Sequence, residues 1–283
     1  MSAPATPTRP PAAVLVLAGL AVGVVLLPLL GMLASVPWGS FLPRVASPAA
    51  LAALRLSVLT SLCAAAIATV LGVPLALMLE RGRFPGRRPL RTLVLLPLVL
   101  PPVVGGLALL ATFGRRSPVG AALAAAGMDL AFTSAAVVLA QVFVSLPFVV
   151  LTMEGALRSA GVRHETAAAG LGAPPGRILL RVTLPSVRPG IVTGAVLAFA
   201  RSLGEFGATI TFAGSLAGVT RTLPLEIYLA RETDPGTAAS LSVLLMGVAL
   251  VTVAAVYRPA RGGRGAGARA WTRDPSVPDG DVR

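Results

Sequence analysis

Apolar residues along this 283-residue chain gather in six long runs, separated by short polar segments dense in arginine, glycine and proline. The runs cover residues 12–33, 51–79, 93–113, 131–153, 191–212 and 239–257. At 1.5 Å of rise per residue, each is long enough to cross a hydrocarbon core of about 30 Å as a helix. The pattern predicts an all-α, polytopic membrane protein with about six transmembrane helices over residues 12–257. Residues 1–11 and 258–283 fall outside that unit. The second run is long enough to tilt or to project beyond the membrane. The third holds Pro97, Pro101 and Pro102 ahead of Gly105 and Gly106. A helix broken in this way needs neighbours or a lined cavity to satisfy its freed backbone groups, so the break is either functional or a packing kink. The first run exceeds the 7–15 apolar residues of a signal peptide and reads as a retained span.

Composition agrees with the bilayer. The chain is 55% hydrophobic and 12% charged, against about 25% charged in soluble domains. All 24 basic residues are arginine. Without lysine there is no Walker A phosphate loop and no Schiff-base chemistry. One histidine (His164) and one cysteine (Cys63) are too few for a His/Cys zinc site. His164-Glu165 looks like the start of a zincin motif, but the second histidine does not exist. Cys63 lies in an apolar run and reads as packing.

A net charge of +13 suggests nucleic acid only until the arginines are placed. They fall in alternate loops, 17 on one side and five on the other, with Arg55 and Arg201 inside spans. This is the asymmetry of a membrane topology rather than a binding patch. It puts both termini, and the 154–190 loop between the fourth and fifth runs, in the cytoplasm. The tail after residue 257, rich in arginine, glycine and proline, is expected to be disordered and in contact at most with anionic lipid.

The 154–190 loop contains Glu165-Thr-Ala-Ala-Ala-Gly-Leu-Gly172, then Val182-Thr-Leu-Pro185, then Arg188-Pro-Gly190. Ala167, Ala168 and Ala169 favour a helix that Gly170 and Gly172 weaken and Pro174-Pro175 cannot continue. About two turns with a small-residue face result, able to approach a partner closely. From the pattern alone, a connector that merely caps two spans is as good a reading.

The loop resembles the EAA loop of the permease subunits of bacterial ABC importers. Gly172 and Val182-x-Leu184-Pro185 match its spacing, with Val182 at the usual isoleucine position. One place departs: the usual acidic position holds Thr166, and the carboxylate comes one residue earlier, at Glu165. The stretches from Ala198 to Phe212 and from Arg221 to Tyr228 look like the molybdate branch of the family, with relatives in sulfate and tungstate permeases. The resemblance implies a type I ABC importer permease fold in a bacterial cell membrane. It implies no catalytic residue, metal or cofactor on this chain, because ATP and magnesium belong to a separate cytoplasmic ATPase. The partners implied are that ATPase, an extracytoplasmic molybdate-binding protein, a second copy of this chain and lipid, with no nucleic acid. In such permeases the loop is the coupling element that meets the ATPase, which makes Glu165, Thr166, Ala167, Ala168, Gly172, Val182, Leu184 and Pro185 its candidate residues.

Arg201 lies about eleven residues into the fifth run, with Glu205 one turn on and Ser202, Thr209 and Thr211 nearby. An arginine at the bilayer centre costs about 2.5–3.5 kcal/mol on insertion scales. The group is either an ion pair clamping helices or part of an oxyanion route. Gly19/Gly23 and Gly190/Gly194 read as helix-packing pairs. The rivals are the same architecture carrying sulfate or tungstate, and an ATPase-independent secondary transporter. The second predicts an internal inverted repeat and midplane carboxylates, yet Glu205 is the only acid well inside a run. An intramembrane hydrolase lacks paired aspartates or a nucleophile–histidine arrangement in the runs.

Overall fold

The computed structural model describes residues 11–256, and they are all-helical wherever they are regular. Helix α1 (Ala12–Ala34) is followed by the short α2 (Phe41–Val45) and by α3 (Pro48–Arg81), the longest helix described. Ser47 caps α3 by accepting the Ala50 N–H, and Pro48 occupies the first turn, where a missing N–H costs nothing. Next come α4 (Arg87–Leu95), α5 (Pro102–Phe113), α6 (Pro118–Ala125) and α7 (Ser134–Ala160), the last capped by Thr133 on the Ala136 N–H. After the polar segment of α8 (Arg163–Gly170), α9 (Pro175–Ile178) and α10 (Leu184–Ser186) come α11 (Arg188–Leu203), α12 (Gly207–Phe212), α13 (Leu223–Thr233) and α14 (Pro235–Val256). The tail from residue 258 lies outside the described residues.

Four helices (α1, α3, α7 and α14) are long and apolar enough to cross a membrane unbroken. Two apolar runs are not straight spans: the third breaks at the prolines that marked it, and the fifth, which carries no such mark at Gly204, breaks as well. Residues 93–113 break at Leu96–Pro101, and the axes of the 87–98 and 102–113 parts differ by 113°. Pro97, Pro101 and Pro102 remove three backbone donors there, so no continuous ladder is available. The 12 residues of α5 reach only about 18 Å as a helix. Residues 191–212 likewise stop at Leu203 and resume at Gly207. Upstream, Pro185 interrupts the ladder beside a π-turn at Leu179–Thr183, and the 175–186 part meets α11 at 68°.

The core is a slab of α3, α7 and α11. Ala65, Ala68, Ala76, Leu79, Val149, Met153, Leu157 and Ala198 form its main cluster. Small residues on α3 let α7 approach closely, and Gly194 of α11 sits against the backbone of Val149. The Gly190/Gly194 pair therefore packs on α7, whereas Gly19 and Gly23 face nothing within 4 Å in this protomer. Cys63 is exposed on α3 rather than packed. The second cluster joins the broken elements to α7: Leu109, Ala136, Val137, Ala140, Val144, Ala208 and Phe212. Arg81 bonds to carbonyls at the end of α7, so α3 and α7 finish at one end of the slab. Arg44 meets Asp234 at the other end, where α14 begins.

Candidate functional site

The segment between α7 and α11 forms a small platform under the slab. α7 runs seven residues past Met153, so the loop proper starts at Gly161 and Glu154 belongs to the slab. Two turns of α8 follow. The chain then reverses at Gly172, whose φ of +80° lies in the left-handed region, where a side chain costs about 1–2 kcal/mol. Pro174 is extended, and Pro175 opens α9.

The two polar residues at the start of α8 face different ways. Glu165 is turned inward: its Oε1 accepts the Thr183 hydroxyl at 3.1 Å and stands 3.5 Å from Arg81 Nη2. Thr166 is about 100° further round the helix; it is exposed, and its hydroxyl donates only to the Val162 carbonyl. Ala167 is exposed and Ala168 half-buried. Beyond Gly170 stands Leu171, 90% exposed. Val182 and Leu184 are half-buried, Thr183 is buried and Pro185 is exposed. The outer surface of α8 thus carries Arg163 and His164 at its start and small residues beyond, with Leu171 as its most exposed apolar knob, and its one carboxylate points into the protein.

Above this platform, acids and arginines tie the slab ends together. Glu154, wholly buried, accepts from Arg91 at 2.6 Å, and its Oε2 stands 3.5 Å from Arg158 Nη2; Arg158 also meets Glu80 at 3.5 Å. α3, α4 and α7 are joined by this network. It was not legible as a unit from sequence, since its four members lie in three separate segments.

The mid-chain pair Arg201 and Glu205 straddles the break after α11 rather than lying on one helix. Arg201 Nη1 is 2.5 Å from Glu205 Oε2, and Glu205 Oε1 accepts the Ala208 N–H at 2.8 Å. The buried carboxylate thereby satisfies one of the free donors that open α12. Arg201 retains 28% of its side-chain exposure; Glu205 keeps 1%. Ser202 and Thr209 are fully buried, on different helices, and their hydroxyls have no partner. Thr211 donates to the Gly207 carbonyl and lies against Gly106. Gln141 of α7, which the sequence did not single out, donates to the Ser202 carbonyl at 3.2 Å and faces Ser61 at 3.4 Å. Of the five predicted pathway residues, Arg201 alone is polar, charged and partly open. An open cavity of about 1010 Å³ lies beside the break, between α1, α13 and α14, and its lining is apolar apart from Ser35, Tyr228, Arg231 and Ser242. Arg201 is not part of it.

Nothing in this arrangement is a catalytic constellation: no nucleophile sits against a base, and no group of three or more His, Cys, Asp or Glu residues that could hold a metal occurs among the described residues. The geometry is that of broken apolar helices above a small platform built from α8, α9 and α10. Residues 68–261 match the family described as binding-protein-dependent transport system inner membrane component. The molybdenum transport system permease protein ModB of Mycobacterium tuberculosis is 56% identical over 82% of this chain and 88% of its own length. The protein of that name from Escherichia coli K12 is 41% identical over 70% of this chain and 88% of its own. Among solved structures, a bacterial alginate ABC transporter in complex with an alginate pentasaccharide-bound periplasmic protein superimposes with a TM-score of 0.68 at 17% identity, covering 86% of this chain and 91% of that one. That last likeness speaks for the fold alone.

Proposed function

This chain belongs to the family of binding-protein-dependent transport system inner membrane components, and from that premise we propose that it is the permease subunit of an ATP-driven importer for molybdate. The observation that carries the substrate class is the 56% identity, spread over 82% of the chain, to a molybdenum transport permease. The family is non-catalytic and works with an ATPase and a periplasmic binding protein. Here the binding protein would be specific for molybdate, and two copies of this chain would enclose the pathway. Both termini and the α8 platform would face the cytoplasm, a reading supported by the arginine distribution.

The mechanism follows from the geometry. α8 presents small residues and Leu171 to the ATPase, and closure of the ATPase displaces the platform. Because the platform is continuous with α7 and α11, the displacement reaches the break at Gly204. A molybdate dianion crossing low dielectric needs its charge offset, yet it must be released on the far side. Arg201, paired with Glu205 yet 28% exposed where Glu205 is 1% exposed, offers a weak positive field rather than a trap. Glu205 serves this by holding the break through the Ala208 N–H.

Proteoliposomes containing this chain, its ATPase and its binding protein test the proposal. Labelled molybdate is expected to enter only with internal ATP and all three components. Excess tungstate and sulfate measure selectivity. Sulfate competing as well as unlabelled molybdate would move the substrate to the sulfate branch, and uptake without the ATPase would remove the importer reading altogether.

A further inference from the structure

The inward carboxylate of α8 has no place in a docking surface. Glu165 keeps 22% of its side-chain exposure and Arg81 keeps 26%. Arg81 is the last residue of α3. One nitrogen of its guanidinium, Nη2, donates to the Gly161 carbonyl at 2.7 Å and the Leu157 carbonyl at 3.0 Å, and stands 3.5 Å from Glu165 Oε1. A cation at the end of α7 is favoured by the carbonyls that no helical N–H satisfies there. The same Glu165 oxygen takes the hydroxyl of Thr183, which is 5% exposed and sits in the π-turn that leads into α11. A single knot therefore joins four elements: the end of α3, the end of α7, the start of α8 and the approach to α11.

Resting on the reading that α8 meets an ATPase, we infer that Arg81 and Glu165 are positioning residues that transmit force from the platform, while the ATPase is gripped by the outer face around Thr166 and Leu171. Without the knot, α8 hangs from α7 by the two-residue link Gly161-Val162 and from α9 by the turn at Gly172. With it, a push on α8 is delivered directly to α3, which runs the full depth of the slab. Glu80, Arg158, Glu154 and Arg91 spread the same push to α4 and α7. The one-residue shift of the carboxylate relative to the resembling family acquires a physical meaning. A rotation of about 100° takes it from the face that Thr166 occupies to the face against α3.

Two quantities separate gripping from transmission: ATPase retained on co-purification, and molybdate taken up per ATP hydrolysed by the reconstituted transporter. Arg81→Gln is expected to retain the ATPase within twofold of the unmodified transporter while uptake per ATP falls at least tenfold. Arg81→Lys, whose ammonium also offers several donors from one nitrogen, is expected to stay within threefold on both. Glu165→Gln and Thr183→Val, which leave the carbonyl contacts of Arg81 in place, carry the same expectation should Arg81→Gln not fold, each losing at least threefold in uptake per ATP. Glu165→Gln combined with Arg81→Gln should lose little more than Arg81→Gln alone. Loss of the ATPase from Glu165→Gln, or unchanged uptake per ATP in both Arg81→Gln and Glu165→Gln, overturns the inference. Failure of the unmodified chain to bind any ATPase instead overturns the function on which it rests.

Discussion

A methyl group on Gly106 would stand 2.8 Å from the Cα of Ala208, closer than real side chains approach a backbone. The two broken apolar runs are thus locked to each other: α5 enters against α12, with Gly207 in turn pressed on Pro102. Neither half-helix crosses a bilayer by itself, and each supplies the other's missing neighbour. In lipid, this is what permits backbone breaks at such a depth.

Gly106→Ala should therefore destabilise the protein by about 1–3 kcal/mol, the usual range for overpacking, because the added methyl meets the Thr211 hydroxyl and, behind it, Ala208 backbone that cannot step aside. Gly19→Ala, where nothing lies within 4 Å, is the matched control and should leave stability unchanged. Thermal melting of both variants in detergent checks this; equal midpoints would mean that α5 and α12 are not in firm contact.

The Arg201–Glu205 pair predicts an asymmetry. Arg201→Ala strands a carboxylate that is 1% exposed, and removing one partner of a buried pair costs about 3–5 kcal/mol; the partial exposure of Arg201 puts the expected loss at or below the lower end. Glu205→Gln keeps an oxygen for the Ala208 N–H and should lose less. Both should retain the ATPase, while Arg201→Ala abolishes molybdate uptake at normal expression. Normal uptake by Arg201→Ala removes that residue from the pathway, and a larger destabilisation in Glu205→Gln contradicts the assigned geometry.

At the opposite end of the slab, Asp234 should give the protein an acid-sensitive clasp. Its carboxylate accepts the Thr237 hydroxyl at 2.8 Å, the Thr237 and Gly236 N–H groups, and Arg44 Nη1 at 2.9 Å. The Thr237 hydroxyl, then the Thr237 N–H, then Arg44 hold its pKa below the ordinary 3.8. A folded pKa below the unfolded one means that the contribution is complete above the ordinary value and disappears as pH falls through the folded value. Asp234→Asn should lower the melting temperature at pH 7 and lower it by less at pH 3. An identical deficit at both pH values would show that the charge is not involved.

What was legible in the sequence divides along physical lines. Membrane helices declare themselves by composition over some twenty residues, so the all-α class and the runs at α1, α3, α7 and α14 needed no tertiary information. The proline-marked break before α5 was visible as an interruption, but not its 113° turn, which depends on what α5 packs against. The break at Gly204 had no local mark, since one glycine in an apolar run is compatible with a continuous helix, and so Arg201 and Glu205 looked like neighbours on one helix. The direction of Glu165 was likewise hidden. Which face of a two-turn helix is inside is decided by Arg81, some 84 positions away.

The platform itself yields the last expectation. Leu171 is 90% exposed and Gly172 holds a φ of +80° with open space around it. Leu171→Asp removes no contact inside the protomer, so its thermal midpoint should not move. If Leu171 fills a pocket on the ATPase, however, burying a carboxylate there should weaken association at least tenfold, or about 1.4 kcal/mol. Gly172→Ala meets no clash and acts only through backbone strain. It should re-aim α8 against α9, weakening association less than Leu171→Asp does while lowering stability by about 1 kcal/mol. Co-purification of the ATPase alongside melting curves reads both effects. The order matters: Gly172→Ala more damaging to association than Leu171→Asp would place the grip on the turn itself, and the knob on the outer face of α8 would then be no anchor.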